Sequence, residues 1–415
     1  MPGDSPSPTA SATRRVLALD GIRAIAALTV FVYHAWLYSL PVVAASQRDS
    51  VGDDLLHELR LGLVLFFVLS GFLLYRPWVR AVREQRARPS TSRYAARRVA
   101  RILPAYWLAL VGAIVLLWGR DASPGVRLPA TSDLWMFAVF AQNFTDRTLL
   151  KLDPPMWTLT VEVSFYVVLP LLGWLAARSG RRVGVWLVPV AFGAGGILFN
   201  WWMAARGDAP LFVSKILPAA APYFALGMLA AVVLGDRRVG RGTMSALVAA
   251  GTALVVADSA WALWNAHANN STAFDLKVWR DTLAAAGFAA IVAAIAGAAR
   301  PPSSLVSRPI VWTGQVSYGL YLWHVPILCV LRSEGMLPSS PLLAALVALP
   351  PTLFVSGLSW RWLERPVTEW VRRRQTARGR GAQPGRGLDG SSPPSPPGAV
   401  VGGSEAEPAW VDARA

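Results

Sequence analysis

Ten stretches of about twenty mostly apolar residues, separated by short arginine-rich connections, constrain this chain more than any other feature. A helix needs about 20 such residues to cross the hydrocarbon core of a bilayer, where every backbone polar group must be satisfied within the segment. The stretches run 17–38, 60–79, 102–119, 157–177, 184–204, 212–235, 243–263, 279–299, 311–331 and 342–363. They predict an all-α polytopic integral membrane protein, a bundle of about ten transmembrane helices. Leu134 to Phe144 is apolar but too short to cross, and is expected to lie at the interface or to re-enter. Composition agrees. Charged residues make up 15% of the chain, against about 25% in soluble proteins. The 19 tryptophans suit membrane interfaces.

The net charge of +16 raises nucleic acid as a partner. The arginines, however, cluster between the apolar runs, and the positive-inside rule accounts for them better. With the N-terminus inside, one side holds Arg14 and Arg15, the loop from Arg80 to Arg101, Arg178 to Arg182, Arg237 to Arg241, Arg300 and Arg308, and Arg372 to Arg374. The other side has few arginines, mixed with acids. Both termini are therefore expected in the cytoplasm, the protein in the cell membrane, and nucleic acid is not expected as a partner. The N-terminus lacks the charge-then-apolar order of a cleaved signal peptide. Residues 1–15 are expected to be a disordered cytoplasmic N-terminus, 16–371 the membrane domain, and 372–415 a disordered tail rich in Pro, Gly, Ser and Arg. Cys329, the single cysteine, excludes an intrachain disulfide, and four scattered histidines give no case for a metal site.

Ionisable groups inside a bilayer cost several kcal/mol unless paired or hydrated, so each is a functional candidate. The alternative is a polar contact that joins two helices. The first span, LALDGIRAIAALTVFVYHAW, holds Asp20, Arg23 and His34. Arg23 and His34 are eleven positions apart, so they share a helix face about 16 Å apart along the axis. That is on the order of the length of a pantetheine arm. Arg23 is either a contact to an anionic cofactor or the ion-pair partner of Asp20. His34 is the natural general base near neutral pH. In PMWTLTVEVSFYVVLPLL, Glu162 is expected at a depth similar to that of His34, where it orients or charge-balances the histidine, and Tyr166 follows one turn on. Ser317, Tyr321 and His324 share a face of WTGQVSYGLYLWHVPIL, placed either for substrate contact or for structural packing. Ser70-Gly71 in FFVLSGFLLY would let a backbone or a ligand approach closely. Arg97, Arg98 and Arg101 precede the third span, and guanidinium groups hold phosphates in bidentate fashion, although from spacing alone ordinary positive-inside charge or lipid-headgroup binding accounts for them better.

Five segments in order resemble the acyltransferase 3 family of membrane O-acyltransferases: LDGIRAIAALTVFVYH, FFVLSGFLL, RRVARILPAYW, WTLTVEVSFYVVLP and SYGLYLWH. The resemblance covers roughly Leu17 to Pro366. It implies a bundle of about ten helices that takes acyl groups from cytoplasmic acyl-CoA, with acetyl-CoA the expected co-substrate and no permanently bound cofactor. The implied acceptor is a hydroxyl on a carbohydrate or glycosylated product. The stand-alone branch that the chain resembles includes exopolysaccharide modifiers and macrolide-sugar acyltransferases. Arg23 and His34 match the family's essential pair, Arg98 and Arg101 its basic motif, and Glu162 the acid of its W-[ST]-L-x-x-E segment. The resemblance also places the AQNF stretch, with Asn143, beside the acceptor. His324, Tyr321, Tyr166 and Ser70 are expected to line the substrate site. The rival reading from another class is a proton-coupled exporter, which ten spans with buried Arg, His and Glu would also suit.

Overall fold

The computed structural model of the protein describes residues 8–44, 50–178, 182–235, 237–267, 278–279 and 281–381. The described residues form helices and connecting turns with no strand. Eight of the helical segments are long and apolar enough to cross a membrane. A shorter apolar helix and a broken one complete the ten expected spans.

The order is α1 (Pro8–Ser39), α2 (Val51–Glu58), α3 (Gly62–Arg83), α4 (Thr91–Leu117), α5 (Leu134–Ala138), α6 (Trp157–Arg178), α7 (Gly184–Arg206), α8 (Leu217–Leu234), α9 (Arg241–His267), α10 (Thr282–Gly297), α11 (Arg308–Gln315), α12 (Ser317–Ser333), α13 (Pro341–Ser359) and α14 (Arg365–Gly381). Helix α1 packs against α3, α10, α11, α12 and α13, and α3 also packs on α6 and α8. These two helices are the axis of the bundle. Outward faces remain apolar: Val111, Val115, Val167, Leu171, Leu187, Leu198 and Phe354 are all exposed. Exposed apolar area on that scale belongs against lipid.

Some boundaries differ from those expected, for physical reasons. Helix α4 begins eleven residues before 102, because Ser90 caps it by accepting from the Arg93 amide. The arginines of its first turns are therefore helical. The ninth span is broken at Val316 into α11 and α12. Helix α11 lies backbone to backbone on α1: a Cβ at Gly314 would run into the Asp20 carbonyl. The tenth span continues through a π-helical turn, Trp360–Glu364, into α14. That helix reaches Gly381, ten residues past the expected boundary at 371, and α1 already begins at Pro8. The remainders of the expected N-terminal and C-terminal tails, 1–7 and 382–415, lie outside the described residues.

The stretch too short to cross folds as α5 followed by a 3-10 turn, Gln142–Phe144. It is tied to α4 by hydrogen bonds from Tyr106 Oη to the Phe137 carbonyl (2.7 Å) and from Trp107 Nε1 to the Ala138 carbonyl (3.0 Å). Just before α6, Asp153 is 1% exposed, and neither carboxylate oxygen has a hydrogen-bond partner. Burial pushes this loop carboxyl well above the usual carboxylate range.

Candidate active site

Three cavities enter the bundle and share walls. The first, of about 330 Å³, is lined by Asp20 and Arg23 of α1, Arg101 of α4, Gln315 of α11, Trp360 and Glu364 of the π-helical turn, and Arg365 and Arg372 of α14. Arg23 and Arg101 also line the second, a narrow space of about 70 Å³. Its other walls include Arg98, Ser70, Glu162, Tyr166, Tyr318 and Tyr321. Leu63, Phe67, Thr158 and Tyr321 are common to this space and to the third cavity. That third cavity, of about 560 Å³, holds His34, Tyr33, His57, Arg60, Trp157, Lys215 and Asp281. The bundle thus carries an arginine-lined end, a constriction and a histidine-lined chamber in series.

At the arginine end, Arg23 Nη1 lies 3.6 Å from Asp20 Oδ1. Arg23 therefore makes the ion pair and lines two cavities at once, so the two readings of this residue are compatible. Arg98 is buried, with its guanidinium 5.8 Å from the Tyr94 ring centroid and 5.7 Å from that of Tyr166. Stacking of this kind holds a guanidinium plane in a set orientation. Arg97 is on the same helix but is not among the residues lining the three cavities.

Glu162 does not reach His34. One oxygen, Oε1, accepts from Ser70 Oγ at 2.8 Å and from the Tyr166 hydroxyl. The expectation of equal depth is corrected by the layer between them. Thr158 and Tyr321 separate the constriction from the histidine chamber, and Glu162 is one helical turn, about 6 Å, beyond Thr158. Thr158 Oγ1 and Tyr321 Oη are 2.6 Å apart, and each is within hydrogen-bonding distance of the Pro155 carbonyl (3.0 and 3.1 Å).

The ring that does meet His34 is that of His324. His34 Nδ1 is 2.9 Å from the Val30 carbonyl and 3.2 Å from His324 Nε2. The two rings meet edge-on, 70° apart in plane. His324 is fully buried on α12, and its Nδ1 lies 3.1 Å from the Leu320 carbonyl and 2.8 Å from that of Tyr321. His324 is behind His34 and does not line the chamber.

Asn143 is fully buried away from the three cavities. Its Nδ2 donates to the carbonyls of Trp157 (2.7 Å) and Lys215 (2.6 Å), which ties the start of α6 to the segment before α8. Sequence reasoning overlooked several wall residues. Thr158 lies within a quoted motif, but its pairing with Tyr321 is not legible from spacing. Arg60 donates from Nη1 to both oxygens of Asp281 (2.9 and 2.8 Å), and Glu58 joins it on the other side. Arg60 and Asp281 lie 221 positions apart in sequence, so only the fold pairs them. The high cost of an unpaired charge in a span was the available signal.

A family model described as an acyltransferase domain matches residues 16–361. The peptidoglycan O-acetyltransferase OatA of Listeria monocytogenes is 24% identical over 382 residues, 85% of this chain and 56% of the relative. Nodulation protein 10 of Rhizobium leguminosarum bv. viciae is 25% identical over 84% of this chain and 92% of the relative. The acyltransferase MdmB of Streptomyces mycarofaciens is 28% identical over 50% of this chain and 49% of the relative. The chain spans just over half the length of the peptidoglycan O-acetyltransferases it matches. No solved structure matches the chain.

Proposed function

This chain belongs to the membrane acyltransferase family of that domain, and from this premise we propose that it transfers an acyl group from acyl-CoA to a hydroxyl of a carbohydrate or glycosylated product. The observation that supports the reading is the series of cavities with shared walls. They run from Arg23, Arg101, Arg365 and Arg372 at one end to His34 at the other. The positive-inside pattern assigns the arginine end, and both termini, to the cytoplasm.

In this mechanism the phosphates of acyl-CoA sit among the arginines at the mouth. The pantetheine arm threads the constriction past Arg98 and Glu162, and the thioester reaches the histidine chamber. The 16 Å or so between Arg23 and His34 along α1 suits that span. The acceptor enters the wider chamber, where Trp157 and Tyr33 offer aromatic faces and Arg60, Lys215 and Asp281 offer polar groups. His34 takes the proton of the acceptor hydroxyl as its oxygen attacks the thioester carbon. The C–S bond breaks, and the CoA sulfur leaves with the proton returned from His34. Glu162, held by Ser70 and Tyr166, offsets the positive charge gathered in the constriction.

Radiolabelled acetyl-CoA, given to membranes carrying the protein together with glycan and glycoside extracts, tests this. Label is expected in a base-labile ester with wild type and not with His34→Ala. Absence of label across a panel of acyl-CoAs, with no CoA binding, would refute the reading in favour of an exporter.

A further inference from the structure

We infer that His324 is a positioning residue that fixes the tautomer of His34, leaving the Nε2 lone pair of His34 as the reactive one. The inference deepens the proposed function and rests on its reading of His34 as the base.

The argument starts at the buried end of the pair. His324 Nδ1 faces two carbonyl oxygens, of Leu320 and Tyr321, at 3.1 and 2.8 Å. A carbonyl can only accept, so Nδ1 must carry a hydrogen. His324 is 0% exposed, and the hydrogen-bond partners of its ring are the two carbonyls and His34, with no carboxylate among them. A cation at that position would be costly, so the ring is neutral and its Nε2 carries a lone pair. That lone pair is aimed at His34 Nδ1, 3.2 Å away.

His34 Nδ1 therefore faces two acceptors, the Val30 carbonyl at 2.9 Å and His324 Nε2. Without a hydrogen on Nδ1, both contacts would set lone pair against lone pair. With one, the hydrogen is shared between them. The Nδ1–H form leaves Nε2 unprotonated, and His34 is a wall residue of the wide chamber. When His34 gains a proton at Nε2, the same two acceptors face the Nδ1–H of the imidazolium and stabilise it. In hydrolase triads a carboxylate does this work. Here a second imidazole and a backbone carbonyl do it, without placing a charge in the bilayer. His324 touches neither substrate, and its role is exerted entirely through His34.

Two substitutions separate this role from packing. In His324→Asn, the amide nitrogen can still donate to the Tyr321 carbonyl, but the side chain ends short of His34. In His324→Gln, the side-chain oxygen falls near the place of Nε2 and keeps an acceptor for His34. We expect His324→Asn to lower kcat by about 10- to 100-fold, a fraction of the whole general-base effect. KM for acetyl-CoA and for the acceptor should stay near wild type, and His324→Gln should recover most of kcat. Nitrogen-15 NMR of histidine-labelled protein in bilayers should show His34 protonated at Nδ1 and bare at Nε2 in wild type, and a tautomer mixture in His324→Asn. An Nε2–H form of His34 in wild type would overturn the inference. Equal rates in the Asn and Gln variants, or a loss confined to KM, would do so too. Retained activity in His34→Ala would instead sink the base reading itself, while the NMR signal would still report the tautomer.

Discussion

Removing Arg23 tests whether the arginine end binds the acyl donor or only holds the helices together. Its guanidinium pairs with Asp20, a carboxylate 2% exposed, at 3.6 Å. Taking one partner from a buried ion pair costs about 3–5 kcal/mol. The long separation points to the lower end of that range, so Arg23→Ala should lower the melting temperature measurably. A hydrogen bond to a charged group is worth about 1.5–3 kcal/mol, and each 1.4 kcal/mol is tenfold, so loss of one phosphate contact should raise KM for acetyl-CoA by about 10- to 150-fold. The two effects separate in the double variant Asp20→Asn/Arg23→Ala, which no longer buries a carboxylate charge beside the missing guanidinium. Thermal unfolding of purified protein should return toward wild type. Initial rates against acetyl-CoA concentration should keep the raised KM. If KM recovers together with stability, Arg23 acts by structure alone, and the donor is not held at this end.

Glu162→Gln retains an oxygen for Ser70 and Tyr166, so stability should change by less than about 1 kcal/mol, while loss of the carboxylate charge should lower kcat at least tenfold in the transfer assay. Gly71→Ala places a Cβ against the Phe224 backbone carbonyl where α3 crosses α8, and should destabilise by about 1–3 kcal/mol with KM values unchanged in the surviving folded fraction. Asp153 is held above its ordinary range, so its neutral form is favoured by folding and it costs stability as pH rises through the shifted value. Asp153→Asn should therefore gain in melting temperature over wild type from about pH 4 upward, with no gain at lower pH.

How much of this was legible in the sequence follows from the range of each signal. The spans were legible because a bilayer demands unbroken apolar length, and among the described residues all ten stretches are mainly helical, the ninth broken at Val316. The break at Val316 was marked only by Thr313, Gln315 and Ser317, polar residues that a window of about twenty averages away. The early start of α4 was visible in its Ser90 cap, which an apolar criterion ignores. Arg23, His34 and Glu162 became candidates because ionisable residues are costly in a span, and Arg101 because guanidinium groups hold phosphates. Their grouping was not fully readable. Glu162 sits one turn deeper than expected, with Ser70 and Tyr166, and the ring that reaches His34 comes from 290 positions away. Helical spacing relates residues on one helix and is silent between helices. The same limit hid Arg60 and Asp281. Asn143 became a candidate for substrate contact through the family resemblance, whereas its amide fastens backbone.

The layer of Thr158 and Tyr321 bears on the membrane as a barrier. A catalyst that takes its two substrates from opposite compartments risks short-circuiting the proton gradient across the membrane that holds it. Here each of the two hydroxyls has one hydrogen to give, and both can be absorbed within the closed set formed by the pair and the Pro155 carbonyl. Neither is left over to pass a proton to a neighbour on the far side. On the proposed reaction, the layer then offers no hydroxyl hydrogen of its own to a proton path between donor and acceptor.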